Sequence, residues 1–515
     1  MATPAEKLAQ SLEVLKKFQR KNGIAVIKAG NIARSHKDRL VSKGYIREVI
    51  KGWYISIRPD EKEGDSTSWF TTFWHFTSVY FKERFGNEWC LSPEQSLSIH
   101  SGNHVIPKQL LVRSPKAGNN KTDLLHNTSF FDVTSSLPSK ADIVEMDGIN
   151  LFSLTSALIA CSPNYFSQHP TDARTALALI KDSSEILARL LEGGHSKIAG
   201  RLAGAFRNIG REYIANEITE AMKSADYDVR EDDPFKEKLP VLLDTRETSP
   251  YVNRIKLMWQ QMRHTVIEKF PKSTGLPKDA DEYLKQVDHI YVTDAYHSLS
   301  IEGYRVTTEL IEKVRGGNWN PEKNEEDRKQ KDAMAARGYW QAFQAVKASI
   351  KEILKGKDPG NIADEDYGKW YRELFAPSVA AGILKPSDLA GYRNGPVYIK
   401  GSKHTPPSPG AIRDAMPALF DLLKEEKEPS VRAVLGHFIF VYLHPYMDGN
   451  GRIGRFLMNV MLASGGYPWT VISLENRDEY MEVLEKASVE QDISPFTDFL
   501  VKQVKDGLEG KSVQR

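Results

Sequence analysis

The segment that most limits what this chain can fold into is VLGHFIFVYLHPYMDGNGRIGRFLMNVML, residues 434–462. Its first ten residues are almost wholly apolar, as suits a helix buried on every side. Pro445 cannot continue that helix, so a stop near Leu443 is predicted, with a second apolar helix starting near Gly451. The tight turn between them holds His444, Asp448, Gly449, Asn450, Gly451 and Arg452. Gly449 and Gly451 allow backbone conformations in which successive N–H groups point into one concavity. That concavity lies at a helix N-terminus, where the backbone dipoles favour an anion. Arg452 and Arg455 are three apart on the new helix and offer two planar forks for phosphate oxygens. Asp448 is a hard carboxylate of the kind that holds Mg²⁺ together with substrate phosphates. His444 supplies a base that titrates near neutral pH. Cradle, metal ligand and base are three parts of a phosphoryl-type transfer site.

A chain of 515 residues is too long for one core and favours two to four domains. Its two cysteines, Cys90 and Cys161, lie far apart and give neither a disulfide framework nor a metal-ligand spacing. The N-terminus lacks the uninterrupted apolar run of a signal peptide, and no stretch is apolar for long enough to span a bilayer. The expectation is a cytoplasmic protein with no membrane partner. The net charge of +2 is unevenly spread. Residues 1–60 carry thirteen Lys or Arg against five Asp or Glu, 13 − 5 = +8, so the remaining 455 carry 2 − 8 = −6. A basic head on a mildly acidic body suggests an anionic partner, nucleic acid first.

Residues 5–21 place Leu8, Leu12, Leu15 and Phe18 at helical spacing. IAVIKAGNIARSHKDRLVSKGYI reads as a short helix, a turn and a second helix ending near Gly44, and YIREVIKGWYISI as a strand pair turning at Lys51-Gly52. This is the order of a winged helix-turn-helix over residues 1–58. Its basic helix, with His36, Lys37, Arg39 and Lys43, would lie in a DNA major groove; the alternative is a winged helix that binds protein. The aromatic run Trp69 to Trp89 reads as a buried helix, residues 91–160 as short strands with turns, and 170–224 as two or three helices. LVSKGYIREVIKGWYIS, LSPEQSLSIHSG and INLFSLTSALI together resemble the AbiEi family of bacterial antitoxins and regulators. That resemblance implies an α/β extension over 59–226. The charged, proline-containing stretch 227–250 is the predicted linker, and 251–515 reads as almost wholly helical, with polar loops near 315–331 and 355–365.

HPYMDGNGRIGR resembles the signature of the Fic (Fic/Doc) family at every position but one, Tyr446 standing where a Phe is usual. The resemblance implies protein adenylyl transfer: His444 deprotonates a target hydroxyl, which attacks the α-phosphate of ATP while pyrophosphate leaves. It places Mg²⁺ on Asp448, an anion hole at Gly449, Asn450 and Gly451, and the outer phosphates on Arg452 and Arg455. In the kinase-like Doc branch the position of Gly451 is Lys, so Gly favours AMP transfer. YRNGPVYIKGSKHTPPSP (392–409) has a hairpin signal at Asn394-Gly395 and resembles the family's flap, which pairs with an extended target segment. Its docking residues would be Tyr392, Asn394, Gly395, Val397, Tyr398 and Ile399.

HSLSIEGYRV (297–306) resembles the family's inhibitory motif, with Ser298 and Glu302 one helical turn apart and Gly303 ending the helix near 284–303. A carboxylate on Arg455 would take the fork meant for the γ-phosphate. In some members the same Glu positions a water that removes AMP, so the resemblance also implies a reverse, hydrolytic reaction. The expected architecture is mainly α: an all-helical Fic domain with a β-hairpin flap, preceded by the winged helix-turn-helix and its extension. Two functions follow. One is an autoinhibited enzyme using ATP and Mg²⁺ on the hydroxyl of a target protein, or of itself. The alternative is a DNA-binding regulator or antitoxin-like protein whose Fic domain senses nucleotide. Nothing in the sequence fixes the oligomeric state, a homo-oligomer included.

Overall fold

The computed structural model describes residues 3–22, 26–59, 61, 64–235, 247, 249–317 and 331–510. They fall into two compact units, Met1–Pro250 with Tyr398–Thr405, and Tyr251–Val397 with Pro406–Arg515.

The first unit opens with α1 (Pro4–Asn22), β1 (Val26–Lys28), a 3₁₀ turn at Ala29–Asn31, α2 (Arg34–Ser42), β2 (Ile46–Ile50) and β3 (Trp53–Ser56). The strands form an antiparallel sheet in the order β1-β3-β2, with Val26 opposite Ile55 and Arg47 also opposite Ile55. The short helix expected before α2 is therefore a strand and a single 3₁₀ turn. The β-branched pair Val26 and Ile27 is buried against β3, which favours pleated backbone over helix. Leu15, Ile27, Ile32, Leu40, Ile46 and Tyr54 make the core of this module.

Next come α3 (Thr67–Phe85), β4 (Cys90–Leu91), α4 (Pro93–His100), β5 (Gln109–Ser114), β6 (Lys121–Asp123), β7 (Ser129–Thr134), β8 (Ile143–Met146) and β9 (Ile149–Phe152). The helix α3 buries Trp69, Phe73, Phe76 and Phe81 beside the four-stranded sheet β4-β5-β7-β6, in which β5 and β7 run parallel. Six helices follow: α5 (Leu154–Ala160), α6 (Pro163–Gln168), α7 (Pro170–Ala178), α8 (Ser184–Gly193), α9 (Ser196–Asn208) and α10 (Glu212–Ser224). Residues 227–235, part of the expected linker, pack on α9: Val229 and Phe235 are buried, and Cβ atoms at Gly200 or Gly204 would strike the carbonyls of Arg230 and Asp232. Residues 236–246 and 248 of that linker lie outside the described residues, as do 318–330 of the loop expected near 315–331.

Among its described residues the regular elements of the second unit are all helices: α11 (Pro250–Lys269), α12 (Ala280–Ile301), α13 (Thr308–Arg315), α14 (Lys331–Leu354), α15 (Pro359–Ala380), a 3₁₀ turn at Pro386–Leu389, α16 (Pro409–Glu425), α17 (Pro429–Leu443), α18 (Asn450–Ala463), α19 (Arg477–Val489) and α20 (Ser494–Leu508). The chain is mainly α, as expected. Helix α17 lies at the centre, with Val434, Leu435, Phe438, Ile439, Phe440 and Leu443 all without solvent exposure. That accounts for an apolar run with no polar face. No described helix is long and apolar enough to cross a membrane.

The predicted β-hairpin flap is not formed. Among the described residues, 392–408 contain no strand. Pro396, Pro406 and Pro407 have no N–H to give to a ladder, and the Arg393 side chain takes up the carbonyls of Gly395 and Pro407. The strand signal of Asn394-Gly395 is thereby overridden.

Candidate active site

The turn between α17 and α18 is built by three local devices. His444 ends α17 in the left-handed region, at φ 53° and ψ 60°. Gly449 opens α18 with φ 84°, and a Cβ there would lie 2.8 Å from the ring of Phe375, so glycine is required on both counts. Asn450 clips the turn: its Oδ1 accepts from the Tyr446 N–H at 2.9 Å and its Nδ2 donates to the Tyr446 carbonyl at 2.8 Å. Its side chain thus shapes the loop. Its backbone N–H remains one of the first-turn donors of α18 that lack an intrahelical partner. Tyr446 is 2% exposed and stacks on Tyr371 with centroids 3.7 Å apart, anchoring the loop as a Phe would.

His444 Nδ1 lies 3.1 Å from the Val441 carbonyl, which can only accept, so Nδ1 carries the proton and Nε2 is left as the base. Burial pushes the His444 pKa below its usual value; the Val441 bond opposes it, Arg393 pulls it further down, and Glu302 and Asp448 pull it up more weakly. The ring is therefore neutral at neutral pH.

Arg452 and Arg455 both point inward from α18, at 1% and 4% exposure. The Arg452 guanidinium lies between two rings, 5.2 Å from Tyr304 and 5.1 Å from Phe375, and donates to Asp448 Oδ1 at 3.1 Å. Asp448 Oδ1 also accepts the Gly449 N–H at 2.6 Å. Arg455 is held by the end of α12. Its Nε donates to Ser298 Oγ at 2.9 Å, and its Nη2 to the Ser298 carbonyl at 3.1 Å and to Glu302 Oε1 at 2.8 Å. Two polar atoms, Arg455 Nη1 and Arg452 Nε, are buried without a hydrogen-bond partner.

The aim of Glu302 is set by backbone. Gly303, at φ 87°, donates to Ser300 O at 2.9 Å and Tyr304 donates to Leu299 O at 3.1 Å, the paired bonds that end a helix with a left-handed glycine. Burial raises the Glu302 pKa, but Arg455 and then Arg452 outweigh it, and the carboxyl sits below the usual range as a carboxylate. A Cβ on Gly451 would collide with Glu302 Oε1 and come within 3.1 Å of Arg455 Nη1. A side chain at 451 and this placement of Glu302 exclude each other.

The structure therefore brings His444, Asp448, Gly449, Asn450, Gly451, Arg452, Arg455, Ser298, Glu302 and Gly303 together. Of the expected docking residues, Tyr392, Asn394, Gly395 and Val397 belong to the same unit, while Tyr398 and Ile399 are grouped with the first unit. In that first unit, Lys37 pairs with Asp38 at 3.4 Å and lies over the Tyr54 ring, and Arg39 donates to Lys7 O and Ser11 Oγ. His36 Nδ1 is 2.9 Å from Ser11 Oγ, and Lys43 is exposed.

Four residues of this neighbourhood escaped the sequence reading: Asp294, Tyr304, Phe375 and Arg393. Asp294 alone carried a legible signal, standing one helical turn before Ser298 as Ser298 stands before Glu302.

A family model described as Fic/DOC family matches residues 362–462, and the chain carries a domain of that family. Among its relatives, the protein adenylyltransferase Fic of Nematostella vectensis is 29% identical over 259 residues, 48% of this chain and 55% of that protein. The protein adenylyltransferase Fic of Drosophila willistoni is 31% identical over 220 residues, 41% of this chain and 39% of that protein. The chain thus spans about half or less of the length of these relatives. A solved structure of Fic-1 from C. elegans aligns at 20% identity, covering 64% of this chain and 90% of that one with a TM-score of 0.35.

Proposed function

We propose that the Fic/DOC domain transfers AMP from ATP to a hydroxyl of a target protein, and that Glu302 holds it in check. The observation that carries this reading is the state of Arg455: a buried guanidinium whose Nη1 has no partner, next to a glycine at 451 and gripped by Ser298 and Glu302. An orphaned guanidinium nitrogen beside a helix N-terminus fits a phosphate oxygen. The names of the relatives, protein adenylyltransferase, support the same reaction.

In the forward reaction His444 Nε2 takes the proton of the target hydroxyl. The hydroxyl oxygen forms a bond to the α-phosphorus of ATP as the bond to the bridging α–β oxygen breaks, and pyrophosphate departs with that electron pair. The first-turn N–H groups of α18 and the two arginines hold the phosphates in line. Among the described residues no group of three or more His, Cys, Asp or Glu is placed to hold a metal ion. Mg²⁺ needs one carboxylate here and takes its other ligands from phosphate and water. Asp448 is that carboxylate; its side chain is 61% exposed. The ion, when bound, neutralises polyphosphate charge.

With Glu302 on Arg455 the γ-phosphate meets a carboxylate where it needs a guanidinium, so ATP binds with its α-phosphate out of line. The same carboxylate, oriented on water, serves the reverse removal of AMP.

The test uses ATP labelled at the α- or the γ-phosphate, with Mg²⁺ and cell lysate, on wild type, Glu302→Gly and His444→Ala. Transfer of the α-label alone is expected, raised about 100-fold or more in Glu302→Gly and lost in His444→Ala. Equal α-label in wild type and Glu302→Gly sinks the inhibitory role, and γ-label transfer sinks the assignment of the reaction.

A second reading concerns residues 1–58, whose helix-strand-helix-hairpin order suits a winged helix that binds DNA. It is favoured by exposed basic residues, Arg34 and Lys43 on and after α2 and Lys51 at the strand turn.

A further inference from the structure

Arg393 enters the second unit from the stretch before α16, is 3% exposed, and reaches three carbonyls with one side chain. Its Nε donates to His444 O at 2.8 Å, its Nη1 to Gly395 O at 3.0 Å, and its Nη2 to Pro407 O. Its backbone N–H donates to Pro445 O at 2.9 Å. The two flap carbonyls come from positions twelve residues apart in sequence, 395 and 407, and the other two acceptors belong to the catalytic loop. The neighbour Asn394 is held in turn by Arg413 Nη2 on its Oδ1 at 2.7 Å.

The choice of His444 O as acceptor matters. A non-glycine residue at φ 53° is held against its own preference. Its carbonyl closes the C-terminus of α17, where helical partners run out and a cation is favoured. A guanidinium on that carbonyl fixes the peptide plane next to the imidazole. Together with the Nδ1 bond to Val441 O, it determines where Nε2 points.

We propose that Arg393 is a positioning residue that locks the target-docking stretch and the base His444 into one register, so that a target segment laid along 394–397 meets an aligned Nε2. A planar fork is needed for this, since three carbonyls in different directions require separate N–H vectors. Lysine brings the same charge and no fork.

The kinetic arm of the test rests on the transfer reading above; the exchange arm does not. In the Glu302→Gly background, Arg393→Gln and Arg393→Lys are compared for the rate of α-label transfer, for ATP affinity, and for amide hydrogen exchange in peptides covering 392–397 and 443–447. Both variants are expected to transfer about 100-fold more slowly, with ATP affinity within about twofold because the phosphate-binding arginines are untouched. Exchange rises in both peptides together and not across α12 or α14. Restoration of the parent rate by Arg393→Lys overturns the proposal, because charge alone then suffices. A loss of ATP affinity matching the loss of rate also overturns it, as general disruption, and so does faster exchange in only one peptide. If the Glu302→Gly parent transfers no label, the transfer reading has failed, and the paired exchange response alone decides the role of Arg393.

Discussion

Asp294 sits two helical turns before Glu302 on α12, 4% exposed, and accepts the Tyr339 hydroxyl at 2.6 Å. Burial pushes its pKa from 3.8 up to about 6, with the Tyr339 bond and the Arg455 charge pulling the other way. Its folded pKa is thus raised: between pH 3.8 and about 6 the folded state holds a proton that the unfolded state has released. Stability contributed by this group is present below pH 3.8 and is lost as pH rises through about 6. Asp294→Asn removes that dependence while keeping an acceptor for Tyr339. The variant is expected to match the parent near pH 4 and to exceed it by about 3 kcal/mol at pH 7, taking 1.36 kcal/mol per unit. Denaturant titrations of both proteins from pH 4.5 to 7.5 read the difference, and a constant offset across that range contradicts it. His437 works in the opposite sense. Burial pushes its pKa down to about 4, so its stability contribution is present above pH 6.5 and lost as pH falls through about 4. The two trends offset each other in the parent, and the Asn variant exposes the histidine's. At this scale the sequence was most legible where chemistry demands fixed residue types: His444, Asp448, the glycines, both arginines, Ser298 and Glu302 meet in space. Arg393 left no trace, because its partners are backbone carbonyls, which any residue supplies.

Between elements, close packing decides what the loop can do. A Cβ on Gly338 of α14 would fall on the Leu374 carbonyl of α15 and lie 3.4 Å from Leu374 Cα, so these helices touch backbone to backbone. On α15, Tyr371 stacks on Tyr446 and Phe375 faces both Arg452 and the Gly449 backbone. A methyl at 338 must push α15 away from α14, because backbone cannot turn aside as a side chain can. Gly338→Ala is expected to destabilise by about 1–3 kcal/mol, seen as a fall of several degrees in the melting temperature. ATP affinity falls with it as the Phe375 face leaves Arg452. A melting temperature equal to the parent's would show that the contact is loose. Helix content was readable from long apolar runs, as α17 and α18 illustrate, and so was the breaker Pro445. The flap was misread because its strand signal is local, whereas the prolines at 396, 406 and 407 and the carbonyl-binding Arg393 act over fifteen residues. The short helix expected before α2 failed for a related reason: Val26 and Ile27 pair with Ile55 and Tyr54, partners nearly thirty residues away.

Across the whole molecule the uneven charge asks for a partner that one site does not explain. Residues 1–60 carry 13 − 5 = +8 while the other 455 carry −6, so the field near the head is positive although the chain is close to neutral. Which of those charges face solvent changes the experiment. Arg39 braces α1 through Lys7 O and Ser11 Oγ, and Lys37 is spent on Asp38 and the Tyr54 ring. Reversing either would disturb the module itself, and lost binding would then say nothing about DNA. Arg34 is 90% exposed and meets Asp38 at 3.5 Å on the surface of α2, and Lys43 is exposed, so neither braces the core. Arg34→Glu with Lys43→Glu is therefore expected to leave melting and α-label transfer unchanged and to weaken duplex DNA binding. If each residue meets one phosphate, the slope of log affinity against log salt becomes shallower by roughly 2, at about 0.9 per contact. Fluorescence anisotropy with a labelled duplex at several salt concentrations reads both effects. A parent that fails to bind duplex even at low salt ends the DNA reading, and the positive head then calls for an acidic protein surface. Weaker binding with an unchanged slope would place the lost contacts on bases, which a long, exposed arginine at the start of α2 can reach.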